Sequence, residues 1–255
     1  MQAFDFTGRT VFVAGGTSGI NLGIAETFAE AGAKLAVMSR SQERVEAAQK
    51  RLRAHGGEVV GYAADVRNAE ATAAALKSAH DALGDIDILV SGAAGNFPAA
   101  ALGMSANGFK AVVDIDLLGT FNVLRNAHVY LRKPGAAIVN ISAPQAEVAI
   151  PLQAHVCAAK AGVDMLTRVL AIEWGGDGIR VNSVIPGPLA DTEGMARLAP
   201  SEEARQRVAR AVPLKRLGTK QDVANLVLVL CSPAASYITA AVIPVDGGWT
   251  THGAA

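Results

Sequence analysis

The sequence predicts a doubly wound α/β fold, one domain over residues 1–255 with a seven-stranded parallel sheet and helices on both faces. Three observations predict it. Short apolar runs alternate with helical patterns along the chain. Apolar residues make up 51% of it, which suits a sheet covered on both faces. A glycine-rich turn joins the first run to the first helical pattern, where open α/β sheets bind ligands.

The first strand, over 10–14, reads Thr10-Val11-Phe12-Val13-Ala14. The turn Gly15-Gly16-Thr17-Ser18-Gly19-Ile20-Asn21 follows and opens a helix over 20–31, with Leu22, Ile24, Ala25 and Phe28 apolar. Glycines let the chain turn tightly, and free N–H groups at a helix start, with the positive dipole end behind them, suit a pyrophosphate. The second strand, over 34–39, ends in Ser39-Arg40. Strands are then expected over 58–64, 87–91, 136–142, 179–184 and 240–245. Helices are expected over 41–55, 68–83, 105–131, 154–174 and 219–231. The short, apolar, often β-branched runs, such as Ala137-Ile138-Val139-Asn140-Ile141, fit parallel strands buried on both faces. Pro186-Gly187-Pro188 breaks the rhythm after the sixth strand, and about 25 residues then run to Pro213. An insertion there reads as a helical flap near 188–213, lying over a substrate.

Composition excludes several classes of function. Lysine plus arginine total 23 and aspartate plus glutamate total 23, so no net field favours nucleic acid or an acidic membrane. Aromatics at 5% provide no base-stacking platform. Cys157 and Cys231 are too few for a disulfide framework and read as reduced thiols in the cytoplasm. Met1 to Asp5 shows no signal-peptide pattern, no apolar run is long enough to span a membrane, and Thr251 to Ala255 matches no organelle address. His55, His80, His128 and His252 are scattered without metal-ligand spacing, and no metal is expected.

An ordered set of local patterns runs through this frame. It comprises the glycine turn, Asp65-Val66 after the third strand, Ala93-Ala94-Gly95 after the fourth, Lys160 on a long helix, Pro186-Gly187, and Asp246-Gly247-Gly248. On these residues the chain resembles the short-chain dehydrogenase/reductase family, whose members have a Rossmann-type fold. Within it the chain is most similar to the 2,4-dienoyl-CoA reductases, the peroxisomal type above all. That likeness rests on Ala93-Ala94-Gly95-Asn96-Phe97, Asp114-Ile115-Asp116, Gly119 to Val123, Gln153-Ala154-His155, Glu173-Trp174-Gly175 and Thr192-Glu193-Gly194.

The departures from the wider family matter as much. The usual tyrosine, four residues before the active-site lysine, is Val156, and the usual serine is Ala143. Ser142 precedes it and would point the other way if the strand alternates there. Tyr62, Tyr130 and Tyr237 are all remote from Lys160 in sequence, and the usual helix asparagine is Asp116. These changes remove the group that protonates a carbonyl oxygen. They also resemble the peroxisomal-type dienoyl-CoA reductases. Reducing a conjugated dienoyl thioester needs hydride at carbon, a stabilised dienolate and a proton delivered to carbon, so a held water suffices as acid.

The resemblance implies NADP(H) bound by Gly15, Thr17, Ser18, Gly19, Ile20, Asn21, Ser39, Arg40, Asp65, Val66, Ala93, Ala94, Gly95, Lys160, Pro186 and Gly187. Arg40, with no acid at the end of the second strand and Arg44 one turn on, suits the 2′-phosphate of NADP. Asn21 replaces a usual glycine, and two outcomes stay open: weaker cofactor binding, or an amide contact to the pyrophosphate. Ser91-Gly92 replaces the usual asparagine pair and loses its bracing hydrogen bonds.

Lys160 is expected to bind the nicotinamide ribose and Asp116 to hold a water beside it. Asn96, Phe97 and Gln145 are expected to line the acyl-thioester pocket, with Gln145 able to donate a hydrogen bond. His155 reads as a packed or solvent-facing side chain. Arg197, Arg205, Arg207, Arg210, Lys215 and Arg216 form a basic flap in which one or two cations are expected to meet coenzyme A phosphate. The alternatives are a 3-oxoacyl or carbonyl reductase lacking the tyrosine, and a catalytically silent NADP-binding protein. A homo-oligomer, a tetramer by resemblance, is expected to pair through the long helices.

Overall fold

The computed structural model describes residues 4–190 and 192–252; Met1–Ala3, Asp191 and Gly253–Ala255, on which the readings of both chain ends partly fall, lie outside them. The first half runs β1 (Thr10–Ala14), α1 (Gly19–Glu30), β2 (Lys34–Ser39), α2 (Gln42–Arg53), β3 (Val59–Ala63), α3 (Ala69–Leu83) and β4 (Ile88–Ser91). There follow α4 (Ala106–Val113), α5 (Gly119–Ala127), β5 (Ala137–Ile141), α6 (Ala154–Trp174) and β6 (Arg180–Pro186). The chain ends in α7 (Glu193–Leu198), α8 (Glu202–Ala211), α9 (Lys220–Cys231), β7 (Val242–Val245) and α10 (Trp249–His252).

The seven strands form one sheet in the order β3-β2-β1-β4-β5-β6-β7, with every pairing parallel. Strand periodicity divides the core. Val11, Val13, Val139 and Val184 pack with Ile24 and Phe28 of α1 and Val223 and Val227 of α9. Phe12, Ala14, Ile138 and Val181 pack with Leu76 of α3, Leu124 of α5 and Leu170 of α6. Connections leave β1 and β4 in opposite directions, so a crevice opens at their carboxyl ends.

Helix starts are set by short polar caps. Ser41, Asn68 and Ser105 each accept a backbone N–H two or three residues into their helices. Thr219 and Asp222 form a reciprocal capping box on α9.

Two readings are corrected. The helix expected over 105–131 is interrupted: between α4 and α5 lies one π-helical turn, Asp114–Leu118, and a 3-10 turn, His128–Tyr130, ends the segment. The π turn inserts a residue into the α ladder and re-aims the side chains around it. Pro186 does not follow β6 but is its last residue, paired with Val245. The segment near 188–213 carries α7 and α8, and Leu189 bridges to Gly218 at its base.

Candidate active site

A cleft of about 820 Å³ opens over the carboxyl ends of β1, β4 and β5. One side is the glycine turn, with Gly15, Thr17, Ser18, Gly19, Ile20 and Asn21 on its wall. Gly15 adopts φ +79°, and a Cβ there would lie 2.9 Å from the Ala93 backbone, so glycine is required. Ser18 precedes α1 without a side-chain capping bond, leaving the first-turn N–H groups to face the cleft.

Asn21 Nδ2 donates to the Gly92 carbonyl at 2.8 Å. The amide thus restores a brace between the turn and β4 that Ser91-Gly92 lacks. A Cβ at Gly92 would overlap the same amide, so Asn21 and Gly92 require each other.

Ser39, Arg40, Ser41 and Arg44 line the far end, opposite Asp65 and Val66. Bonds from the Arg67 guanidinium hold the Asp65 carboxyl below the usual carboxylate range despite partial burial, and the Arg40 charge adds to this. The Ser39 hydroxyl is buried without a partner among the described residues. An exposed guanidinium, an unpartnered hydroxyl and a turn that excludes side chains fit a dinucleotide phosphate and ribose.

Ala93, Ala94 and Gly95 lead from β4 to the centre of the cleft. There the π-helical turn presents Asp116, 1% exposed, whose Oδ1 accepts the Gly95 N–H at 2.8 Å. Its Oδ2 stands 3.4 Å from Lys160 Nζ. Lys160, 5% exposed, also donates to the Ile141 carbonyl at 3.0 Å. The contact to Asp116 is an ion pair rather than a hydrogen bond, and an ammonium has three donors, so two N–H groups remain beyond the bond to Ile141. Val156 and Ala143 line the cleft beside the lysine. Among the described lining residues there is no tyrosine and no histidine.

Ser142 also reaches the cleft wall, but on the α6 side of β5, near Asp164. Burial pushes the Asp164 carboxyl up, opposed by its bond from the Ser183 hydroxyl and by the Ser142 hydroxyl and Lys160 charge.

Asn96 and Gln145 line the outer wall of the cleft. Gln153, which no role assignment included, joins them: its Oε1 accepts from Gln145 Nε2 at 2.7 Å and Asn96 Nδ2 at 3.2 Å. Its position directly before the apolar helix is the signal that marks it, since a residue there is held close to the preceding loops. Thr192 and Gly194 bring the flap to the rim.

Three expected positions are not on the cleft wall. Phe97 turns away to pack edge-on against His155, with ring centroids 4.6 Å apart. His155 is fully buried, and both ring nitrogens lack partners among the described residues, so the solvent-facing alternative is excluded. Pro186 is held in β6, and Gly187 closes against Asp246 while its N–H bonds Val245. On the flap, Arg216 pairs with Asp222, Lys215 with the Arg210 carbonyl and Arg205 with the Ala199 carbonyl. The side chain of Arg197 lies outside those described.

A family model described as enoyl-(acyl carrier protein) reductase matches residues 14–250. The chain belongs to the short-chain dehydrogenase/reductase family. Members are oxidoreductases that use a nicotinamide cofactor. The chain is 46% identical over 246 residues to the peroxisomal 2,4-dienoyl-CoA reductase of Rattus norvegicus, covering 95% of this chain and 84% of that protein. It is 41% identical over 251 residues to that of Arabidopsis thaliana, covering 94% and 84%. Among solved structures, a short-chain type dehydrogenase/reductase from Mycobacterium ulcerans superimposes with a TM-score of 0.93 at 31% identity, covering 98% of this chain and 92% of that one. A dehydrogenase/reductase from Sinorhizobium meliloti superimposes with a TM-score of 0.90 at 32% identity, covering 97% of each chain. Among the described residues no helix is long and apolar enough to cross a membrane.

Proposed function

We propose that the chain reduces 2,4-dienoyl-CoA or a closely related unsaturated acyl-CoA with NADPH. The observation that carries this reading is the buried Asp116–Lys160 pair in a cleft without a tyrosine, in a chain similar to named dienoyl-CoA reductases. When bound, the cofactor supplies a hydride to the conjugated chain. Gly15 to Asn21 would hold its pyrophosphate and Ser39, Arg40 and Arg44 its 2′-phosphate end, with Asp65, Val66, Ala93, Ala94 and Gly95 along its length.

The remaining work falls to the protein. A free N–H of Lys160 binds the nicotinamide ribose, and the ammonium charge lowers the energy of the dienolate. Asp116 is clamped through Oδ1 by Gly95, so Oδ2 holds a water in a fixed place beside the lysine. That water delivers the proton to carbon, a step that needs no phenol. A ketone oxygen would find no phenol among the described lining residues, which sets carbonyl reduction behind this reading.

A homo-oligomer, a tetramer by resemblance, is part of the proposal. Exposed apolar side chains on α4 to α6, among them Phe109, Phe121, Met165 and Ile172, support it. The free cysteines suit the cytoplasm, our reading for this chain, although the rat and Arabidopsis relatives are named peroxisomal.

The test follows dienoyl-CoA absorbance with NADPH. Its loss is expected, with NADH much poorer. Turnover of 3-oxoacyl thioesters alone would favour the carbonyl reductase, and NADPH binding without turnover on any thioester would favour the silent protein.

A further inference from the structure

The amide cluster on the outer wall has a fixed polarity. Gln153 is 6% exposed and presents one carbonyl oxygen to two neighbours. Gln145 Nε2 donates to it at 2.7 Å and Asn96 Nδ2 at 3.2 Å. A primary amide carries its nitrogen and oxygen on opposite arms, so turning the Gln145 nitrogen to Gln153 turns Oε1 elsewhere. That oxygen is buried, has no donor among the described residues, and belongs to a residue on the cleft wall. A buried acceptor left unpaired is costly, and a site built around one favours a ligand that brings a donor.

The thioester group of an acyl-CoA cannot satisfy it, because its oxygen and sulfur only accept. The nearest donor in such a substrate is the amide N–H of the pantetheine arm, two carbons from the sulfur. We infer that Gln145, oriented by Gln153, accepts a hydrogen bond from this N–H. The cleft then selects pantetheine-type thioesters over thioesters without that group. The inference rests on the acyl-thioester reading above and reverses the expectation that Gln145 acts as a donor. Gln145 is the binding residue and Gln153 the positioning residue.

The test compares two dienoyl thioesters: the N-acetylcysteamine thioester, and its analogue in which CH₂ replaces the N–H. Turnover with NADPH is measured for both. Affinity is measured by ligand-detected NMR for the corresponding saturated hexanoyl pair. The N–H form is expected to bind about tenfold more tightly, with KM following and kcat nearly unchanged. Gln145→Leu and Gln153→Leu should both bring the ratio close to one. Gln153→Glu keeps an acceptor at the same place and should preserve the preference. A wild-type ratio near one, a ratio unaffected by Gln145→Leu, or no binding of either hexanoyl thioester overturns the inference.

The two readings fail separately. If neither dienoyl thioester is reduced but the N–H preference persists in binding, the proposed reduction falls and the pantetheine site stands. If both are reduced equally well, the reverse holds. Coenzyme A and an acyl carrier protein present the same N–H. Comparing hexadienoyl-CoA with the same acyl group on a carrier protein separates them, and the coenzyme A form is expected to react faster.

Discussion

The Asp116 carboxylate lies 3.4 Å from the Lys160 ammonium, and both side chains are almost entirely shut off from solvent. The contact joins a π-helical turn to the first half of α6, 44 residues later in the chain, and the Gly95 N–H locks one carboxylate oxygen in place.

Asp116→Asn keeps the shape and an acceptor for Gly95 but leaves Lys160 without its counter-charge. We expect dienoyl-CoA turnover to fall by about 10² or more, the scale of a lost acid–base group. Stability should fall too, by about 3–5 kcal/mol if the lysine stays charged and unpaired. Single-turnover rates and urea unfolding read the two effects separately. An undiminished rate would remove Asp116 from the mechanism.

Asn21 and Gly92 form a matched pair, because the Asn21 amide fills the space a Gly92 side chain would need. Gly92→Ala alone should cost about 1–3 kcal/mol through overpacking and raise the KM for NADPH. Asn21→Gly with Gly92→Ala should recover much of that loss. Additive losses across the three variants, measured by thermal unfolding, would refute the coupling.

Arg40 is exposed at the far end of the cleft, where no acid stands beside Ser39. Arg40→Ala should raise the KM for NADPH about tenfold and leave that for NADH nearly unchanged, because only NADPH carries the 2′-phosphate. Equal effects on both cofactors would place the phosphate elsewhere.

Asp222 ties the start of α9 to the flap's base. Its carboxylate accepts from Arg216, at 2.8 Å and 3.1 Å, and from the Thr219 N–H at 2.8 Å. These bonds, Arg216's first, hold its carboxyl far below the usual aspartate range. The folded form is thus the one that keeps the charge. Its contribution is full above the pKa of an unfolded aspartate, about 3.9, and is lost as pH falls from there through the folded value. Asp222→Ala should cost about 1 kcal/mol at neutral pH through the lost cap. The gap to wild type should narrow below about pH 4. Denaturant midpoints at both pH values check the sign.

The strand and helix order was legible in the sequence because both depend on near neighbours: apolar spacing for the core faces, small polar caps for helix starts, glycine where φ turns positive. The same local evidence singled out the glycine turn from Gly15 to Asn21 and Arg40, while Asp116, Lys160 and the missing tyrosine at Val156 were singled out by resemblance to the family, which tied them to hydride chemistry. Tertiary structure alone decided how distant segments meet. It broke the long helix with a π turn that aims Asp116 at Lys160, and turned Phe97 onto His155. It held Pro186 and Gly187 in the sheet's edge contacts, and made Gln153 the common acceptor for Asn96 and Gln145. Those outcomes depend on which atoms fill the space between loops that are far apart in the chain, and no spacing along the sequence carries that information.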